Sequence, residues 1–256
     1  MPESPSVLVL TPVKQALGQL DRHFANLDAL DHPRDRLSLG LLESDSTDGT
    51  YEALEGRLPE LRERYRRVTL CRHDYGFQIP AGVPRWAPHL QLARRAVLAR
   101  ARNRLLFAAL RDEDWVLWMD VDLDSYPADV LARLLAVGRD IVVPHCVVAG
   151  DGATFDWNTW RDQGRVRMDA LRGQELVRLD AVGGTMLLIR ADLHREGLIF
   201  PPYLYGRQSR YARDPSPLTG GRGIGEVETE GLGIMAKDMG HECWGMPDLE
   251  IVHRNE

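Results

Sequence analysis

Trp115-Val116-Leu117-Trp118-Met119-Asp120-Val121-Asp122 is an apolar run of five that stops abruptly at carboxylates spaced by two, a series that Asp124 continues. An unbroken apolar run of strand length reads as a strand buried on both faces, the habit of parallel sheets covered by helices. Open α/β sheets bind ligands beyond the carboxyl ends of their strands, and these acids fall there. Two carboxylates in that place suit a hard divalent ion: Mg2+ and Mn2+ take oxygen ligands, commonly one or two carboxylates completed by substrate phosphates. Asp120 and Asp122 are therefore the expected metal ligands. If the strand persists, Asp120, Asp122 and Asp124 share one side of it. The competing reading is that the acids only cap a helix starting at Pro127.

The same alternation of elements extends to both sides of this strand. Residues 7–11 (Val-Leu-Val-Leu-Thr) read as a buried strand ending at Pro12, and Leu17, Leu20, Phe24 and Leu27 recur at helical spacing. A second strand over 37–42, a helix holding Tyr51, Leu54, Leu58 and Leu61, and a third strand over 68–71 follow. Strand, helix, strand in this order predicts a parallel sheet with right-handed crossovers. An irregular loop over 76–88 precedes a long helix over 90–110. Beyond the acids, a short helix from Pro127 to Leu135 and a strand over 140–143 are expected. Strands over 177–179 and 185–189, separated by Gly183-Gly184, would extend a mixed sheet. A helix over 228–239 and a last strand over 249–253 close the chain. The fold class is thus α/β, one Rossmann-like domain over 1–256 with a mixed central sheet flanked by helices. Residues 1–124 form its nucleotide-binding half and 125–256 its acceptor-binding half. Residues 203–225 are polar and rich in Gly, Pro and Arg, and a loop of that length is expected to be a mobile lid.

Composition bounds the partners. A chain of 256 residues can bury a sizeable core as one domain, and its net charge of −6 argues against general affinity for nucleic acid. No apolar run approaches the roughly 18 residues of a membrane span, and the amino terminus holds no signal-peptide core, so a cytoplasmic protein without a transmembrane segment is expected. Cys71, Cys146 and Cys243 are too far apart for a zinc or redox motif and read as reduced thiols. Oligomeric state is left open.

Three further constellations carry chemistry. Glu43-Ser44-Asp45-Ser46-Thr47-Asp48-Gly49-Thr50 follows the second strand, where short acids can meet a nucleobase or ribose. Asp45 is favoured for ligand contact, whereas capping explains Asp48 equally well. Thr11, Pro12 and Val13 would wall the opposite side of a base pocket. Arg102 and Asn103, on the helix before the acidic strand, can reach diphosphate oxygens or equally belong to the solvated face of a cationic helix, the reading that weighs more on Arg100 and Arg104. Glu228 and Glu230 are candidates to stabilise positive charge or to orient an acceptor, and His253 could complete a metal shell, although a lone histidine near a terminus is more often a surface or core residue. Asp156, Trp157, Asn158 and Trp160 are candidate acceptor contacts, since aromatic faces and amides suit sugar rings, with core packing of the tryptophans the equal alternative.

These segments together resemble the fungal mannan-polymerase mannosyltransferases, the Anp-type glycosyltransferase family 62. The resemblance rests on Val9-Leu10-Thr11-Pro12-Val13-Lys14, Ser44-Asp45-Ser46-Thr47-Asp48, Leu98-Ala99-Arg100-Ala101-Arg102-Asn103 and the Trp115-to-Asp122 stretch. It continues through Val142-Val143-Pro144, Val182-Gly183-Gly184-Thr185, Phe200-Pro201-Pro202, Glu228-Thr229-Glu230-Gly231 and His253-Arg254-Asn255-Glu256. It implies a GT-A fold, GDP-mannose as donor, Mn2+ (or Mg2+) as metal and transfer with retention of configuration. It also implies donor contacts at Gly183 and Gly184 and a third metal ligand at His253. The 205–225 segment is longer and richer in glycine and arginine than the resemblance implies, which leaves mannan open as acceptor. The acceptor would be a glycan or another hydroxyl compound, attacked either from the front face or after double displacement through Glu228 or Glu230. The rival readings are a nucleotidyltransferase acting on sugar phosphates and a non-catalytic nucleotide-sugar-binding module. The first would want a Gly-rich, lysine-bearing loop that is absent near the first strand.

Overall fold

The computed structural model describes residues 4–84, 87–150, 152–213 and 223–254. The first half follows the alternation expected of it: β1 (Val7–Val13), α1 (Leu20–Ala29), β2 (Leu37–Glu43), α2 (Thr50–Arg64), β3 (Arg67–Arg72), α3 (Pro88–Ala109) and β4 (Trp115–Met119). The second half comprises β5 (Leu123–Ser125), α4 (Val130–Ala136), β6 (Ile141–Val148), β7 (Trp160–Arg161), β8 (Val166–Arg167), β9 (Val177–Leu179), β10 (Met186–Arg190), α5 (Ala191–Arg195), α6 (Glu228–Asp238) and β11 (Cys243–His253).

Nine strands form one sheet in the order β3-β2-β1-β4-β10-β6-β11-β5, with β9 on the side of β11. The strands β3, β2, β1 and β4 run parallel, and β10 enters antiparallel between β4 and β6. β7 and β8 form a separate hairpin. This is the mixed, helix-flanked sheet of the GT-A fold.

Alternation along the central strands divides the core. Val7, Val9, Leu117 and Met119 face one layer with Leu20, Phe24 and Leu54 of α1 and α2, and Leu8, Leu10, Val116 and Trp118 face the other with Leu105 and Leu106 of α3 and Leu232 of α6. Both faces being covered explains why these strands carry no polar alternation. Gly40 lets α3 approach the sheet: a Cβ there would lie 2.5 Å from Leu10 Cδ2 and 3.0 Å from Ala109 Cβ.

Four expectations need correction. β1 does not stop at Pro12 but runs to Val13, since beyond Leu10 it has left β4 behind and pairs only with β2, where a missing N–H is tolerable. The acidic strand stops at Met119, and residues 123–125 turn away to pair with β11, so the shared side does not extend to Asp124. Asp124 instead meets Arg22 at 2.8 Å and Arg254 at 3.7 Å. α4 starts at Val130, three residues past Pro127. β11 begins at Cys243 rather than Leu249; Gly245 and Pro247 disguise it, and its pairing with β6 shifts register between Met246 and Glu250. Of the expected lid, residues 214–222 lie outside the described residues. The described flanks are tied down: Tyr205 and Glu226 form a β-bridge, and Tyr205 Oη and Ser209 Oγ both donate to Asp238.

Candidate active site

Two adjoining cavities open at the carboxyl ends of the central strands. The smaller, about 340 Å3, is lined by Pro12 and Val13 at the end of β1, Ser44 and Asp45 after β2, Phe77 to Ile79 of the irregular loop, and Arg94, Val97, Leu98 and Ala101 of α3. Its organisation comes from local hydrogen bonds. Asp45, held at φ +54°, accepts the backbone N–H of Tyr75 at 3.1 Å and of Gly76 at 2.8 Å, and Lys14 Nζ donates to Phe77 O at 2.6 Å. Asp45 therefore faces the cavity while its carboxylate anchors the loop that forms the other wall. Asp48 forms the turn ahead of α2, whose N-cap is Gly49, accepting Thr50 N–H and Leu17 N–H at 3.1 Å each. Thr11 is buried one residue below the cavity floor.

The larger cavity, about 640 Å3, shares Arg94 and Leu98 with the first. It gathers Asp120 and Asp122 after β4, Gly184 and Thr185 before β10, Phe155 to Asn158 after β6, Glu228 at the start of α6, His253 at the end of β11, and Gln91, Arg95 and Arg102 of α3. Residues separated by most of the chain converge here because β4, β6 and β11 all end on this side.

The charged wall is a network. Arg102, 2% exposed, donates to both Glu228 and Asp120, the latter at 3.2 Å, and to Gly184 O at 3.2 Å. Arg95 Nε meets Glu228 at 3.3 Å and Arg95 Nη1 meets Glu230 at 2.7 Å. Burial pushes the Asp120 carboxyl up to about 6; Asp122 and Asp156 push the same way, and Arg102 and His253 oppose them. The glycine pair is shaped by these groups: a Cβ on Gly183 would fall 1.8 Å from the Asp156 carboxylate, and one on Gly184 2.5 Å from the Arg102 guanidinium. Asp156 is held in turn by Thr185 Oγ1 at 2.9 Å, Thr185 N at 3.3 Å and Asn158 N at 3.2 Å.

His253 bears on whether a metal fits. Its Nδ1 lies 2.8 Å from Arg254 O, a pure acceptor, so Nδ1 carries the proton. Its ring stacks on Phe155 at 3.6 Å and 10°, which fixes the other nitrogen, Nε2, 3.1 Å from Asp122 Oδ1. Burial alone would lower the His253 pKa, but Asp122 and the Arg254 carbonyl outweigh it and the pKa rises. An imidazole with a committed Nδ1–H and an Nε2 aimed at a carboxylate is the arrangement in which a cation takes both groups as ligands. Among the described residues no group of three or more His, Cys, Asp or Glu side chains is drawn together closely enough to hold a metal ion, and Asp120 is engaged by Arg102. The Asp122–His253 contact brings together two donors, a carboxylate oxygen and an imidazole nitrogen, that a divalent ion can take.

Several expected contacts fall elsewhere. Asn103 faces neither cavity: its amide clamps the backbone of Phe200, donating to Phe200 O at 2.7 Å and accepting Phe200 N–H at 2.9 Å. Glu230 lies behind the wall, accepting Trp160 Nε1 at 2.6 Å. Trp160 is accordingly a core residue, 1% exposed, rather than an acceptor contact. Gly183 sits behind Asp156, donating its N–H to Thr159 Oγ1. Arg94, Arg95, Gln91, Phe155 and the 77–79 wall were not anticipated. The α3 residues could have been, because 91, 95, 98 and 102 form one helical stripe leading to Arg102.

A family model described as Anp1 matches residues 1–172 and 164–204. The Mannan polymerase II complex anp1 subunit of Schizosaccharomyces pombe is 26% identical over 295 residues, covering 96% of this chain and 63% of that protein. The Mannan polymerase complex subunit mnn9 of the same yeast is 27% identical over 293 residues, covering 98% and 80%. This chain thus spans somewhat less than two thirds of the first and four fifths of the second. Among solved structures, the mannosyltransferase PcManGT from Pyrobaculum calidifontis, in complex with GDP-Man and Mn2+, superposes with a TM-score of 0.58 at 18% identity, covering 98% of this chain and 57% of that one. GalNAc-T7 with UDP, GalNAc and Mn2+ gives 0.60 at 15% identity, covering 100% and 45%.

Proposed function

Since this chain belongs to the Anp1 family, we propose that it is a metal-dependent glycosyltransferase that moves mannose from GDP-mannose to a hydroxyl acceptor. The observation that carries the reading is the convergence of Asp120, Asp122 and His253 on a cavity whose wall at Arg94 and Leu98 continues into a second cavity between the β1 and β2 loops. A nucleoside lies in the smaller cavity, its base between Pro12-Val13 and the Phe77–Ile79 wall, and its diphosphate crosses the seam at Arg94 to the acidic side. Asp120, Asp122 and His253 would hold Mn2+ or Mg2+, which when bound offsets charge gathering on the departing diphosphate.

The remaining residues position and polarise. Arg102 neutralises Glu228 and steadies Asp120. Asp156, oriented by Thr185 and given room by Gly183, accepts hydrogen bonds from sugar hydroxyls. Glu228 is a poor nucleophile here, since Arg102, Arg95 and Thr229 Oγ1 all donate to its carboxylate. This favours front-face attack, in which the acceptor proton passes to the leaving phosphate oxygen and no enzymic base is needed. GDP-Man is the nucleotide sugar named in complex with PcManGT, and mannan polymerase complexes are the assemblies named for the two yeast relatives.

Thermal unfolding with GDP or UDP, each with Mn2+ or EDTA, tests the donor site. At a hundredfold over the dissociation constant a ligand adds about 2.7 kcal/mol, a shift of several degrees. A GDP shift that requires Mn2+ and vanishes in Asp122→Ala is expected. A UDP preference would discard GDP-mannose, and no metal-dependent shift with either nucleotide would discard the whole reading.

A further inference from the structure

α3 lies on the sheet by the face that buries Ala101, Leu105 and Ala109, and its outer face carries Arg100, Arg104, Phe107 and Arg111 at spacings of three and four. Phe107 is 65% exposed. Asn103 clamps Phe200, Arg95 Nη2 donates to Val227 O at 2.8 Å, and Glu228 N–H donates to Pro201 O at 2.8 Å. Residues 200–204 and 224–227 therefore run along the side of α3. Tyr203, Leu204 and Ile224 are exposed there, and Leu92 is exposed one helical turn before Arg95. Five of the eight exposed large apolar side chains among the described residues are thus gathered on one side of the molecule, which scattered exposure would not produce.

The charge on this side is of one sign. Arginines elsewhere are met by carboxylates, as at Arg57, Arg66, Arg172 and Arg190. Among the described residues Arg100, Arg104, Arg207 and Arg210 are not: Arg100 lies over the Tyr75 ring at 5.9 Å and Arg210 over the Tyr211 ring at 4.7 Å. The acids that border the face are already engaged, Glu226 by Arg213 and Asp238 by Tyr205 and Ser209. In a chain of net charge −6, a face both cationic and apolar does not follow from composition. We propose that this face docks on an anionic lipid surface, independently of the donor chemistry above. Phe107, Tyr203 and the aliphatic side chains enter the boundary between headgroups and acyl chains, and the arginines meet lipid phosphates. A nucleic acid would use the arginines and the rings but leave Leu92, Leu204 and Ile224 without a partner. Gln91 and Arg95 of the same helix line the larger cavity, so docking keeps that cavity close to lipid-borne molecules.

Co-sedimentation of the full chain with vesicles tests this, using phosphatidylcholine alone or mixed in equal parts with phosphatidylglycerol. The wild type is expected to bind the mixed vesicles, less so as salt rises, and to bind phosphatidylcholine alone at least tenfold more weakly. Arg100→Gln with Arg104→Gln should lower affinity for the mixed vesicles by about tenfold or more, and Phe107→Ala by about threefold or more. Phe107→Trp, which keeps an interfacial ring, and Arg172→Gln, whose partner is Glu250, should leave it within about twofold. These side chains are exposed, so unchanged unfolding midpoints are expected to accompany the losses. No vesicle binding by the wild type, equal binding to both lipids, or equal binding by all variants would overturn the proposal. Self-association of the wild type that Phe107→Ala abolishes, without vesicle binding, would assign the face to a second copy of the chain and overturn it as well. A metal-dependent GDP shift is read on the same preparations; its absence would overturn the donor reading and leave the docking face standing.

Discussion

Arg102 changes meaning between sequence and structure. As a type and position it is a diphosphate clamp; in the fold it is 2% exposed and serves as counter-ion to Glu228 and Asp120. Removing one partner of a buried ion pair leaves the other charge uncompensated, at a cost of about 3–5 kcal/mol. Arg102→Ala is therefore expected to lose that much stability in urea unfolding, and a loss below about 1 kcal/mol would contradict the burial of this pair. Asp45 and Asn103 make the same point. Their chemistry was legible, but their partners lie 30 and 97 positions away, at Tyr75 and Phe200, and nothing local announces them. The carboxylates were easier to place, since the run that ends at Asp120 fixes where a strand stops.

At the scale of elements, legibility followed periodicity. Strands buried on both faces and helices with an apolar stripe were readable from 7 to 119. β5 has three residues and β11 is interrupted by Gly245 and Pro247, so tertiary pairing, not local pattern, defines them. The turn before β10 supplies a test. Ala at Gly183 would drive a methyl into Asp156, a short side chain that cannot retreat while Thr185 and Asn158 hold it. Gly183→Ala should lower GDP-mannose turnover by at least about tenfold, as expected for misplacing a group in the site. Gly56, exposed inside α2 with open space at its Cβ position, is the contrasting site. Gly56→Ala should stabilise by about 0.5–1 kcal/mol in urea unfolding through helix propensity alone. Destabilisation there would mean that residue 56 does not occupy an open helical position in α2, three residues ahead of Pro59.

For the molecule as a whole, buried neutral histidine sets the acid limit. His194 donates through Nδ1 to Leu198 O at 2.7 Å and accepts Trp118 Nε1 at 3.4 Å, so it must be neutral, and burial pushes its pKa down to about 4. The unfolded chain takes up this proton near the ordinary value of 6.5, so between that value and about 4 the unfolded state binds more protons and stability falls as pH falls. From pH 7 to pH 5 the loss from this one group is about 2 kcal/mol. His194→Gln should show a smaller drop than the wild type in urea unfolding at the two pH values; an equal drop would remove His194 from the account. Among the described residues no helix is long and apolar enough to cross a membrane. The central claim, that Asp120, Asp122 and His253 support metal-dependent transfer from GDP-mannose, is tested most directly by GDP release from GDP-mannose, the mannosyl group passing to water or to an added hydroxyl acceptor. Wild type with Mn2+ should release GDP, and EDTA or Asp122→Ala should each slow release by at least about a hundredfold, the scale of losing a major electrostatic contribution in a transfer site. Release that is indifferent to EDTA and to Asp122→Ala, or no release by the folded wild type, would contradict it.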